Sequence, residues 1–170
     1  QLEAILPPIK EERDKWGDFP IIAAGGIWDR DDIEKIMDLG ADAVQLGTRF
    51  IGTHECDASP VFKQVLLDSK EEDIVIVSSP VGYPGRAVKT NLIKTLEPDT
   101  KKIKCISNCI FPCNRGEGAR RVGYCIADSL GDAYLGRLQS GLFFSGANGY
   151  KLKEIVHVKD LIDELMTDVK

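Results

Sequence analysis

Apolar positions along the chain fall into short runs and helical stripes, separated by glycine, proline and charged residues. Leu2, Ile5 and Ile9 stand among charges at near-helical spacing, so a helix is expected there, interrupted at Pro7-Pro8 because an internal proline removes a backbone donor. Residues 19–24, Phe-Pro-Ile-Ile-Ala-Ala, make a run too brief for a helix that ends in Gly25-Gly26, the pattern of a buried parallel strand. Asp29 and Asp31 offer N-cap chemistry to a helix with Ile33, Ile36, Met37 and Leu39 on one face, stopped by Gly40. A second apolar run over 41–46 ends in Gly47-Thr48. Strand, glycine turn, helix, strand, glycine turn is a βαβ unit, with a helical crossover as parallel pairing requires.

Beyond this unit the rhythm changes. Ser59 at N-cap and Pro60 at N1 open a helix with Val61, Phe62, Val65 and Leu66 on its apolar face. Residues 74–77 form a strand-like run, Ile-Val-Ile-Val. From 78 to 118 proline, glycine, lysine and cysteine dominate with little periodicity, which predicts a loop-rich region or a small separate lobe. An uneven helix is expected over 119–138, and Leu161, Ile162, Leu165 and Met166 mark a terminal helix packed on a core.

Composition narrows the class. The chain has 170 residues, 43% hydrophobic and 29% charged, within the range of an ordinary globular protein. It opens at Gln1 in what reads as a helix already under way, so a fragment or processed chain is expected. No apolar run approaches the roughly 18 residues of a membrane span, and no secretory pattern opens the chain, so a cytoplasmic location is expected. The net charge of −5, with no run of more than two basic residues, speaks against nucleic acid or an anionic membrane as partner. The expected partner is a small molecule, with a homodimer kept in view.

The two glycine turns carry the chemistry. Gly25-Gly26 and Gly47-Thr48 end consecutive parallel strands, and so place unhindered backbone N–H groups on one rim of the sheet. Glycine admits a phosphate close to the backbone, a following helix N-terminus favours negative charge, and the Thr48 hydroxyl can donate one more hydrogen bond. Relief of crowding at the strand ends is the alternative reading of the same glycines.

The words between the turns decide for the phosphate. Residues 23–27, Ala-Ala-Gly-Gly-Ile, and 39–50, from Leu-Gly-Ala-Asp-Ala to Gln-Leu-Gly-Thr-Arg-Phe, closely resemble the last two βα units of the nitronate monooxygenase (2-nitropropane dioxygenase) family and the related flavin-dependent enoyl-ACP reductases. Residues 82–87, 123–127 and 141–148 resemble later segments of the nitronate monooxygenase branch. The resemblance implies an α/β fold that is the C-terminal part of a TIM-type (β/α)8 barrel, its last two βα units, with a small α/β lobe. It divides the chain into residues 1–55 as the end of an FMN-binding barrel, 56–140 as an inserted or lid lobe with the cysteine cluster, and 141–170 as a C-terminal segment packing back on the barrel. It places Gly25 and Gly26 by the FMN phosphate, with Gln45, Leu46, Gly47 and Thr48 on its other side, mainly through main-chain groups. The activity implied is FMN-dependent oxidation of alkyl nitronates by dioxygen to a carbonyl compound and nitrite. Flavin-dependent enoyl-ACP reduction and a non-catalytic, metal-stabilised binding fragment are the alternatives.

A complete barrel takes about 250 residues, and only two of its strands are identifiable here. The family's usual catalytic histidine comes from mid-barrel, and neither His54 nor His157 occupies that position, so no catalytic residue is assigned. His54 is expected at the surface or capping a helix, and His157 capping the last helix. Cys105, Cys109 and Cys113 are spaced by four, with Cys125 beyond. Free thiols are the favoured reading over a zinc or iron–sulfur site, because structural zinc sites prefer tighter pairs and Pro112 disfavours a helix through the cluster; a redox disulfide is the third. No metal ligand is assigned, and Cys56 is expected to pack. Arg86 is expected in a structural ion pair, Asn148 in a glycine-rich turn that satisfies its own backbone, and Trp28 packing its loop against the helix that follows.

Overall fold

A computed structural model describes residues 2–17, 19–96 and 123–167 together with Ile106, Cys109 and Cys113. It is an α/β structure of two compact units, one made of residues 1–56 and 155–170, the other of 57–154.

The first unit opens with α1 (Leu2–Trp16), which runs through Pro7 and Pro8 without a break. Both prolines are exposed, so the carbonyls left without donors one turn earlier can turn to water, and the fixed proline φ is already helical. Leu6, 2% exposed, is the residue that anchors the helix, while Ile5 and Ile9 lie at the surface. Next come β1 (Ile22–Ala24), α2 (Arg30–Asp38) and β2 (Ala43–Gln45). The two strands pair in parallel, Ile22 with Ala43, Ala23 with Val44 and Ala24 with Gln45. The alternation of a strand then sorts the side chains. Ala23 and Val44 join a core with Ile21, Ile27, Ile33, Ile36 and Ala41. Ile22, Ala24, Ala43 and Gln45 are exposed on the other face. A one-turn helix α3 (Thr48–Ile51) follows β2. Leu161 and Leu165 of the last helix of the chain (Val158–Met166) close the same core.

Asp42 fixes the entrance of both strands. Its carboxylate accepts from the Ile21 N–H at 2.7 Å and from Arg13 Nη1 at 2.8 Å, and its own N–H returns to the Ile21 carbonyl at 2.8 Å. The donated Ile21 N–H is the chief reason its carboxyl sits below the ordinary aspartate range.

The second unit starts with α4 (Pro60–Leu67), capped by Ser59, whose hydroxyl accepts from the Phe62 N–H. A 310 turn (Glu71–Asp73) leads to β3 (Ile74–Val77). β3 pairs antiparallel with β4 (Gly85–Val88), a strand in the stretch expected to be loop-rich. α5 (Asn91–Thr95) and α6 (Ile126–Tyr134) follow. α6 is shorter than the expected 119–138, of which 119–122 lie outside the described residues. Residues 142–145 return to β4: the Val88 N–H donates to the Phe143 carbonyl and the Ser145 N–H to the Arg86 carbonyl. Residues 141–154 therefore belong to this unit, whereas only 155–170 join the first. Leu142 and Phe143 are fully buried, and Phe143 meets Phe62 edge-on at 5.1 Å. The terminal helix Val158–Met166 is labelled α7.

Candidate functional site

The register of the parallel pair builds the site. Ala24 and Gln45 are direct partners, so Gly25-Gly26 and Leu46-Gly47-Thr48 leave the same rim of the sheet side by side. Gly25 (φ +94°) and Gly26 (φ +76°) take left-handed backbone that an L side chain rarely adopts. An added Cβ at Gly25, Gly26 or Gly47 would meet nothing within 4 Å. Both turns thus border open space, and the backbone can be approached closely at three positions. These are the residues of the first unit that could hold an anion. One expectation changes here: α3 is a single turn, so the second side offers local peptide N–H groups rather than a long helix's dipole.

Two residues behind the turns, Arg49 and Glu164, are not singled out by sequence. Arg49, just past Thr48, lays its guanidinium carbon 5.1 Å from the ring centre of Trp28, two residues past Gly26. Its Nη2 donates to both carboxylate oxygens of Glu164 on α7, at 3.0 and 2.9 Å. The Arg49 side chain is 11% exposed, and its Nε is buried without an acceptor. Trp28 is buried, and its backbone N–H donates to the Asp32 carboxylate at 2.9 Å, so it packs its loop against α2 as expected. Asp29 in turn caps α2 by accepting from the Asp32 N–H.

Neither histidine joins the glycine turns as a strand-end residue. His54 is exposed and its ring stands 4.6 Å from that of His157. His157 occupies the N-cap position of α7 but makes no capping bond with its side chain. The cap comes from Glu55, which accepts from the Val158 N–H at 2.9 Å through one oxygen and faces His157 Nδ1 at 3.1 Å through the other. The longer reach of a glutamate and the hydrogen bond it gains explain the substitution. That Val158 N–H is the leading cause that lowers the Glu55 carboxyl below its usual value.

Cys56, Cys109 and Cys125 are free thiols. Cys105 lies outside the described residues. Among the described residues no three histidine, cysteine or acidic side chains gather into a metal-binding group. Arg86 sits in β4 opposite Ile76, and Asn148 precedes a 310 turn (Gly149–Lys151). Among the described residues no helix is long and apolar enough to cross a membrane.

A family model described as nitronate monooxygenase matches residues 2–168. A protein of Staphylococcus saprophyticus named "Probable nitronate monooxygenase" is 39% identical over 75 residues, 44% of this chain and 21% of that relative. Among solved structures, FabK from Thermotoga maritima superposes with a TM-score of 0.72 at 24% identity, over 98% of this chain and 48% of that one. Nitroalkane oxidase from Streptomyces ansochromogenes gives 0.67 at 22% identity, over 99% and 43%. At these identities the two structures establish a shared α/β fold. The chain spans less than half the length of each.

Proposed function

The chain belongs to the nitronate monooxygenase family, and from that premise we propose that it holds the phosphate end of FMN for oxidation of alkyl nitronates by dioxygen. The observation that carries this reading is the Ala24–Gln45 register, which sets two open glycine turns beside each other. Gly25 and Gly26 receive the phosphate on one side. Gln45, Leu46, Gly47 and Thr48 receive it on the other, chiefly through main-chain groups. When bound, the flavin supplies the redox chemistry that turns a nitronate into a carbonyl compound and nitrite. The residues of this chain bind and orient it.

The same reading makes β1 and β2 the last two strands of a (β/α)8 barrel. Parallel strands are ordinarily covered on both faces, whereas Ile22 is 62% exposed and, among the described residues, β1 and β2 make a sheet of two strands. Further strands alongside would bury that face. No catalytic residue is assigned from this chain, since neither histidine stands at the end of β1 or β2.

A flavin titration tests the site: the chain is expected to prefer FMN to riboflavin, which lacks the phosphate, and equal affinities would remove the reading. The reaction is tested on the polypeptide as the cell makes it. Nitrite release from propyl nitronate supports the proposal, whereas NAD(P)H consumption with crotonyl thioesters would assign it to flavin-dependent enoyl reduction instead.

A further inference from the structure

Arg49 is an expensive way to fill its site if packing were its only task. The side chain is almost withdrawn from solvent, and Nε is buried with no acceptor. A buried donor left without an acceptor forfeits the hydrogen bond it makes to water in the unfolded chain. A hydrocarbon side chain would cover Trp28 without that cost. What a hydrocarbon cannot do is hold a planar cation on the indole while a carboxylate grips its far end.

That grip joins three parts of the first unit that are distant in sequence. Trp28 follows the Gly25-Gly26 turn, Arg49 follows the Gly47-Thr48 turn, and Glu164 lies on α7. The Arg49–Trp28 stack at 5.1 Å spans the two turns directly. The two bonds from Nη2 to Glu164 hold the guanidinium in place from the helix behind. We propose that Arg49 is a positioning residue for the ligand phosphate: pinned by Glu164, it clamps the two glycine turns at the separation at which their backbone groups converge on one anion. This rests on the phosphate-cradle reading given above.

The clamp acts on the phosphate and not on the ring of the flavin. FMN and riboflavin differ in that phosphate alone, so their affinity ratio isolates it. In Arg49→Met the ratio of FMN to riboflavin affinity should fall about tenfold, the loss expected for a desolvated cation–π contact and its anchor. Glu164→Gln, a change at a half-exposed position that threatens the fold less, should lower the ratio in the same direction. Arg49→Lys keeps the charge but not the planar stack and should fall between wild type and methionine. The measurement is flavin fluorescence quenching by the polypeptide as the cell makes it, with thermal melts in parallel. A wild-type chain that prefers FMN and variants that keep the same ratio would overturn the clamp alone. Affinities for both flavins that decline in parallel, or melting temperatures that fall while the ratio holds, would show a merely structural ion pair and overturn it too. A wild-type chain with no preference for FMN would remove the phosphate cradle and the clamp with it.

Discussion

At the level of single residues, Gly47 gives the cleanest access to the site. Its φ of −119° is open to any residue, in contrast to Gly25 and Gly26. Gly47→Ala therefore adds a methyl group to open space without backbone strain and should change stability by no more than about 1 kcal/mol. If the phosphate occupies that space, FMN affinity should drop about tenfold or more while riboflavin affinity stays put. Calorimetric titration with both flavins reads the difference, and undiminished FMN binding would place the phosphate elsewhere. Tyr124 illustrates a different residue-level effect in the second unit. Its hydroxyl donates to the Ser78 carbonyl at 2.8 Å, and burial pushes its pKa from 10.0 up to about 12. Because the raised value favours the neutral phenol in the folded state, its stabilising effect is intact below pH 10.0 and is lost as pH climbs toward about 12. Tyr124→Phe should cost about 1 kcal/mol at neutral pH from the lost hydrogen bond and melt with a shallower alkaline decline than wild type. Phenolate absorbance through the same range should show one tyrosine ionising late.

At the level of elements, α7 is held by a cap that no local pattern announces. Glu55 accepts from Val158 N–H across a separation of 103 residues and faces His157 as well. A carboxyl lowered by that hydrogen bond contributes stability above its ordinary value of 4.5 and loses it as pH falls through the lower folded value. Glu55→Gln retains an acceptor for Val158 but no charge, so its melting temperature should fall less steeply on acidification than that of wild type. Identical acid profiles would mean that the carboxylate is irrelevant to α7. The contrast with the elements that sequence did disclose is instructive. The α2 and α4 starts were legible because Asp29 and Ser59 cap within three residues of themselves, and the β1–α2–β2 order followed from apolar runs punctuated by glycine. β4 was missed because Gly-Arg-Ala-Val has no alternation of its own and becomes a strand only against β3 and residues 143–145. The unbroken α1 was missed because the prolines' lost bonds fall on the solvent side. The glycine turns were likewise visible as sequence, whereas the Trp28–Arg49–Glu164 arrangement behind them depends on a contact 115 residues apart.

At the level of the molecule, the two units have separate cores, and the spectroscopic reporters divide between them. The chain has two tryptophans, Trp16 and Trp28, and both lie in the first unit with the glycine turns. Tryptophan emission therefore follows the unit that carries the proposed cradle, while far-ultraviolet circular dichroism follows helices and strands of both. A ligand that binds the folded form alone stabilises it by about 2.7 kcal/mol at a hundred times its Kd. Saturating FMN should raise the tryptophan-detected melting temperature by several degrees, and riboflavin at the same concentration should raise it less, because only FMN engages the turns. The buried Trp28 adds a second signature: its indole lies under Arg49, so ordering of the turns by FMN should alter its emission before any unfolding begins. In Arg49→Met that change and the FMN-specific part of the melting shift should shrink together, since one contact transmits both. A tryptophan-detected transition that FMN leaves unmoved would take the flavin phosphate away from this unit altogether.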